Sequence, residues 1–223
     1  MQRLPLFPLG AVLVPGLVMP LHVFEPRYLS LMDHLSGLEP DDRMFGVVAI
    51  RAGQEVGTDA VPQLFDVGCT AVLRQVNEQA DGTLQVLVTG GTRFRLHEFD
   101  PGGPDESDAP YPTGLVTPIP DLDGDGDVER LAPVVGLRFT TYRERLGAAP
   151  LELPDSPRVL SYLVAAGMAL DVADRQALLE QPDTAQRLDA ELALLAREQA
   201  LVEQLGAVPS DGGVHLGQRL SFN

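Results

Sequence analysis

Val14-Pro-Gly-Leu-Val-Met-Pro-Leu-His-Val-Phe-Glu-Pro-Arg-Tyr28, led in by Leu4-Pro-Leu-Phe-Pro-Leu9, is the stretch whose reading decides the fold. From Leu4 to Phe24 there are 21 residues with no formally charged side chain. That is long enough to span a bilayer as a helix. The prolines at 5, 8, 15 and 20 exclude the helix, because each removes a backbone donor and collides with the preceding turn. Pro15-Gly16 is a turn signal. The segment therefore reads as two short extended pieces buried in a water-soluble core. Glu25-Pro26 then opens a helix, since proline suits the first helical position and a carboxylate favours its positive end. Tyr28, Leu31, Met32 and Leu35 recur at helical spacing, and Gly37 stops the helix.

Working outward, the strand signals continue. Met44-Phe-Gly-Val-Val-Ala-Ile50 is a short apolar run, and Arg51 to Pro62 is a polar, glycine-containing loop. Cys69–Val76 and Thr83–Thr89 flank Asp81-Gly82, the strongest hairpin signal in the chain. Gly90-Gly91 breaks the second arm as a bend or bulge. In Arg93–Phe99, Phe94 and Leu96 share a face that Glu98 extends, and Arg93, Arg95 and His97 lie on the other. Leu115–Ile119 is a further strand, where Pro118 marks an edge or an ending.

Nine acids and no arginine lie between Asp100 and Glu129, which reads as solvated loops around the Leu115 strand. After that the period becomes helical. Helices are expected over 129–146, over 156–167 with Val159, Leu160 and Leu163 inward, from Asp171, and over 184–205. In the last, Leu188, Leu192, Leu195 and Val202 mark the buried face, with Arg187, Glu191 and Glu198 outside it. The expected organisation is α+β: a β-rich lobe over 1–120 with one helix at about 26–37, a helical lobe over 121–206, and a flexible tail over 207–223.

Composition narrows the chemistry. The 223 residues carry 32 acids against 16 bases, a net charge of −16. An anionic chain repels phosphate backbones and anionic membranes, so neither nucleic acid nor membrane is expected as a partner. All 16 bases are arginine, which rules out a phosphate-loop lysine, a Schiff base and a Ser-Lys dyad on these residues. The one cysteine, Cys69, permits no internal disulfide, and with no signal-peptide pattern the expected location is cytoplasmic. His22, His34, His97 and His215 show no metal-ligand spacing. Asp121-Leu-Asp-Gly-Asp-Gly-Asp127 begins like a calcium loop, but Ala132 stands where the closing glutamate belongs. Neither metal nor cofactor is expected. Cys69 reads as a small core residue; a nucleophilic role would need His97 to approach it across the sheet.

The proline-rich opening, the Asp81-Gly-Thr-Leu-Gln-Val-Leu-Val arm and Gly91-Thr-Arg-Phe-Arg-Leu, with Arg175-Gln-Ala-Leu-Leu-Glu180 and Arg187-Leu188 in the helical half, resemble the N-terminal substrate-binding domain of Lon proteases. The resemblance runs from about residue 2 to 205. It implies a PUA-like β pseudobarrel followed by a helical bundle, in a stand-alone member without ATPase or peptidase modules. The implied function is a non-enzymatic protein- or peptide-binding module, an adaptor or quality-control factor. It would hold polypeptide clients, or a protease or chaperone partner, in a groove between barrel and helices, with no oligomeric state specified. A small-molecule pocket in the same fold is the alternative, which the shortage of aromatics (5%) weakens. An acid-and-metal hydrolase around 121–129 lacks paired ligands.

The candidate partner-binding residues are Phe24, Glu25, Arg27 and Tyr28. A helix cap with core packing accounts for this corner structurally. Functionally, a strand-to-helix corner can present charge and aromatic rings together, with Arg27 and Tyr28 gripping a partner.

Overall fold

The computed structural model describes residues 1–52, 63–103 and 109–206. Its elements, in order, are β1 (Gln2–Leu9), β2 (Val18–Val23), α1 (Pro26–Ser36), β3 (Met44–Ala52), β4 (Gln63–Leu64), β5 (Val67–Glu78), β6 (Leu84–Asp100), β7 (Thr113–Pro118), α2 (Val128–Arg145), α3 (Pro157–Gly167), α4 (Val172–Leu179) and α5 (Thr184–Gly206). The sheet runs β1-β7-β6-β5-β3-β4, and a parallel pairing of β1 with β3 joins its ends into a five-strand ring. β2 stands off this ring and pairs with β6 alone among the described residues. The expected tail and most of the 51–62 loop lie outside the described residues.

The opening segment is strand, turn, strand, helix, as its prolines dictate. Gly16 takes φ +78 at the turn, and Pro26 opens α1. All four residues of the expected helical stripe, Tyr28, Leu31, Met32 and Leu35, are buried. They pack on Phe7, Leu21, Phe45, Val47 and Val88 from one face of the rolled sheet. Each such side chain contributes about 1.5–3 kcal/mol by leaving water. The opposite face gathers Leu4, Leu6, Val48, Phe94 and Val116. The β5–β6 hairpin turns at Asp81-Gly82 with Gly82 at φ +81, and Asp81 Oδ1 accepts from the Thr83 amide and hydroxyl at 3.0 and 2.7 Å. β7 lies between β1 and β6, so Pro118 marks an ending and not an edge.

β6 carries the bulge expected at Gly90-Gly91 and corrects the expected break there. It runs unbroken through Gly90-Gly91 as a 17-residue strand. The pairs Cys69–Arg93 and Ala71–Gly90 show one extra residue on β6, a bulge. That residue shifts the strand's alternation. Val86, Val88 and Gly90 point inward before it, and Arg93 points inward after it, 1% exposed, while Arg95, His97 and Glu98 face solvent.

The helices pack around Val135, Phe139, Tyr142, Leu160, Val164, Leu188 and Leu195. Asp127, Ser156 and Asp171 each cap a helix by accepting from the amide three residues on. Three expectations fail here. Val159 is 55% exposed, because Ser161 takes the inward place. Arg187 and Glu191 are fully buried, because α5 is packed by α2 on one side and α3 on another, so its covered stripe is wider than its leucines. Arg187 Nε donates to Ser161 Oγ at 2.7 Å, Ser161 Oγ donates to Glu191 at 2.7 Å, and the guanidinium lies 3.9 Å from the centre of the Tyr162 ring.

The two halves meet through apolar and polar contacts. Val12, Val14, Ala49 and Val67 pack on Tyr162 and Leu179. Arg93 donates to the carbonyls of Leu179 and Gln181 and pairs with Asp121 at 3.0 Å. Gln176 donates to the Val67 carbonyl at 2.9 Å. These contacts tie the barrel to the helices at the place where the client groove is expected.

Burial holds the Glu191 carboxyl well above its ordinary 4.5, and the Ser161 hydrogen bond and the Arg187 charge offset this only in part. At low pH both folded and unfolded chains bind the proton, and the full stability is present. Between 4.5 and the raised folded-state value, the unfolded chain releases the proton first, so stability falls as pH rises. The expected slope from this group is up to about 1.4 kcal/mol per pH unit. Glu191→Gln should flatten that segment of a urea-midpoint-against-pH curve. An unchanged curve would exclude Glu191 as its source.

Candidate functional site

The strand-to-helix corner is where β2 passes into α1. β2 leaves Val18, Pro20, His22 and then Phe24 facing solvent, while Leu21 and Val23 turn inward. Val18 and Phe24 are 53% and 48% exposed. The His22 and Phe24 rings lie 5.7 Å apart, and His22 Nδ1 is 2.8 Å from the Gln85 amide nitrogen on β6. The result is a mostly apolar strip along a strand whose second edge has no partner strand among the described residues. Such an edge offers backbone donors and acceptors to another extended chain, with Pro20 supplying its carbonyl only.

The four candidate residues divide at this corner. Phe24 projects outward at the end of the strip. Glu25 and Arg27 form a half-buried ion pair at 2.8 Å, which holds the guanidinium 4.6 Å from the Tyr28 ring centre. Tyr28 is 3% exposed and stacks on Phe7 with ring centres 4.1 Å apart, so its ring belongs to the core and not to the surface. Val18, Pro20 and His22 were not among the candidates. Their period-two spacing with Phe24 was the signal available.

The other candidate chemistries meet physical obstacles. Cys69 is fully buried, burial pushes its thiol up to about 12, and its cross-strand neighbour is Arg93. His97 instead contacts Thr117 at 3.0 Å. A thiol so far from ionisation is no nucleophile near neutral pH. Asp121, the first residue of the calcium-like run, accepts from Tyr162 at 2.5 Å and pairs with Arg93, so its carboxylate is already engaged.

A closed small barrel carrying an extra strand, followed by a helical bundle, is the expected PUA-like α+β architecture. The model of the ATP-dependent protease La (LON) substrate-binding domain matches residues 3–197, and the chain belongs to that family. It is 31% identical over 197 residues to Lon protease 2 of Syntrophobacter fumaroxidans, a match covering 84% of this chain and 23% of that protein. It is 30% identical over 211 residues to the Lon protease of Escherichia coli K12, covering 90% and 25%. The chain thus spans about a quarter of the curated relatives it matches. Among solved structures, the Lon N-terminal domain protein from Xanthomonas campestris is similar at 28% identity and TM-score 0.61, covering 86% of this chain and 98% of that one. The N-terminal domain of the Mycobacterium avium complex Lon protease shares the fold at 19% identity and TM-score 0.65, covering 87% and 98%. No described helix is long and apolar enough to cross a membrane.

Proposed function

We propose that this chain is a non-catalytic polypeptide-recognition module, a cytoplasmic adaptor or quality-control factor. Extended, apolar client segments bind along β2. The observation that carries the reading is the apolar strip of Val18, Pro20, His22 and Phe24 on an unpaired edge strand, in a member of a substrate-binding family. Main-chain hydrogen bonds supply affinity without reading sequence, and the alternating strip favours segments with apolar side chains at every second residue. Arg27, fixed by Glu25, adds a charge contact beside Phe24.

The test uses a permanently unfolded protein, such as reduced and carboxymethylated lactalbumin, labelled for fluorescence anisotropy. Val18→Asp/Phe24→Asp should weaken its binding about tenfold or more, since the two large apolar contacts at the ends of the strip become desolvated charges. Both side chains are half exposed, so the fold tolerates the change. Arg27→Ala should weaken binding less, about twofold to threefold, as one partly exposed charge contact is lost. Equal affinity of wild type and the double variant would remove β2 as the site.

A further inference from the structure

A second surface lies on the helical half, away from β2. A depression of about 390 Å³ opens between α2 and the segment entering α3, walled by Pro133, Gly136 and Leu137 on one side and Leu153, Pro154 and Leu160 on the other. Leu137 is 71% exposed, and Val134, one turn back on α2, is 41% exposed. Such side chains at the third and fourth spacing form a continuous apolar ridge. The charged groups lining the depression, Glu129 and Asp155, are both acids.

We propose that this groove docks an amphipathic helix of a partner protein, one with a leucine-type apolar face and arginine or lysine flanks. The apolar walls call for anchors at i, i+3 or i+4, and i+7, the helix-in-groove mode. The acids select positive flanks, and the chain's net charge of −16 steers such a helix toward it. The same charges disfavour a second copy of this chain, because a two-fold contact through this face would bring the Glu129 and Asp155 carboxylates of both copies into one interface.

The probe is a synthetic helix of about 18 residues with leucines at that spacing and lysines elsewhere, set beside its leucine–glutamate counterpart and a scrambled leucine–lysine control. The patterned cationic helix should bind alone of the three, shift backbone amide resonances of Gly136, Leu137 and Leu153, and lose affinity with added salt. Leu137→Asp should weaken it about tenfold, and Glu129→Arg/Asp155→Arg should reverse the preference toward the leucine–glutamate helix. Val18→Asp/Phe24→Asp should leave this binding intact, which separates it from the client reading. Equal binding of the scrambled peptide, resonance shifts confined to β2, or sedimentation showing self-association of the wild-type chain that Leu137→Asp abolishes would each overturn the proposal.

Discussion

Arg93→Ala is expected to cost about 3–5 kcal/mol of stability, the loss typical when one partner of a buried ion pair is removed. The guanidinium is 1% exposed and reaches from β6 to the carbonyls of Leu179 and Gln181 and to Asp121. Its removal strands two carbonyls at the junction and leaves the Asp121 carboxylate with the Tyr162 hydroxyl as its remaining side-chain donor. Arg93→Met should fare little better: the methionine fills space but supplies no donor to the Leu179 and Gln181 carbonyls. Urea midpoints give the magnitude. Hydrogen exchange gives the location, with α4 losing protection first because the Arg93 contacts hold its end against the barrel. A cost below about 1 kcal/mol would mean that the apolar contacts of Tyr162 and Leu179 hold the halves together unaided.

Gly90→Ala is expected to destabilise by about 3 kcal/mol, at the upper end for forcing atoms into a packed site. A Cβ at this position would lie 2.1 Å from the Val14 carbonyl oxygen and 2.9 Å from its carbon, which are backbone atoms that cannot rotate away. The same close approach carries two hydrogen bonds, from Gly16 N to Gly90 O at 2.9 Å and from Gly90 N to Leu17 O at 2.8 Å. These fix the entry to β2, so the variant should also lose client binding in proportion to the disturbed edge. The neighbouring glycine is the control. At Gly91 the nearest atom would be the Thr70 hydroxyl, on a side chain able to turn, so Gly91→Ala should cost about 1 kcal/mol, the loss of one hydrogen bond to the Thr92 amide. Equal costs at the two positions would show that the bulge, and not the contact with Val14, sets the requirement.

Local signals were legible where one short-range cause acts alone. The α1 stripe follows from helical spacing plus a proline start, and the hairpin follows from Asp-Gly between two alternating runs. Arg93 was not legible because a bulge residue beside Gly90-Gly91 shifts the strand's inward and outward phase there, and the register shifts again between Leu96 and Glu98. Arg187 and Glu191 were misplaced for another reason: polarity was read as exposure, whereas Ser161 and Tyr162 on a neighbouring helix supply their partners. Nothing local announces such partners. At the corner, Phe24 is half exposed, as a partner-contacting residue must be. Tyr28 did not declare itself as core, because its stacking partner Phe7 lies 21 residues earlier in the chain. The strip of Val18, Pro20 and His22 was hidden by the prolines that drew attention to turns.

The parallel pairing of β1 with β3, and its antiparallel pairing with β7, have a consequence for biosynthesis. β1, made before both partners, cannot complete its ladders until Thr113–Pro118 has followed it from the ribosome. At typical translation rates that interval is on the order of 10 s. Throughout it, an uncharged run from Leu4 to Phe24 waits without its mates. The nascent chain therefore presents the kind of sticky, extended stretch that its finished form is proposed to capture, and early chaperone contact should fall on Leu4–Phe24.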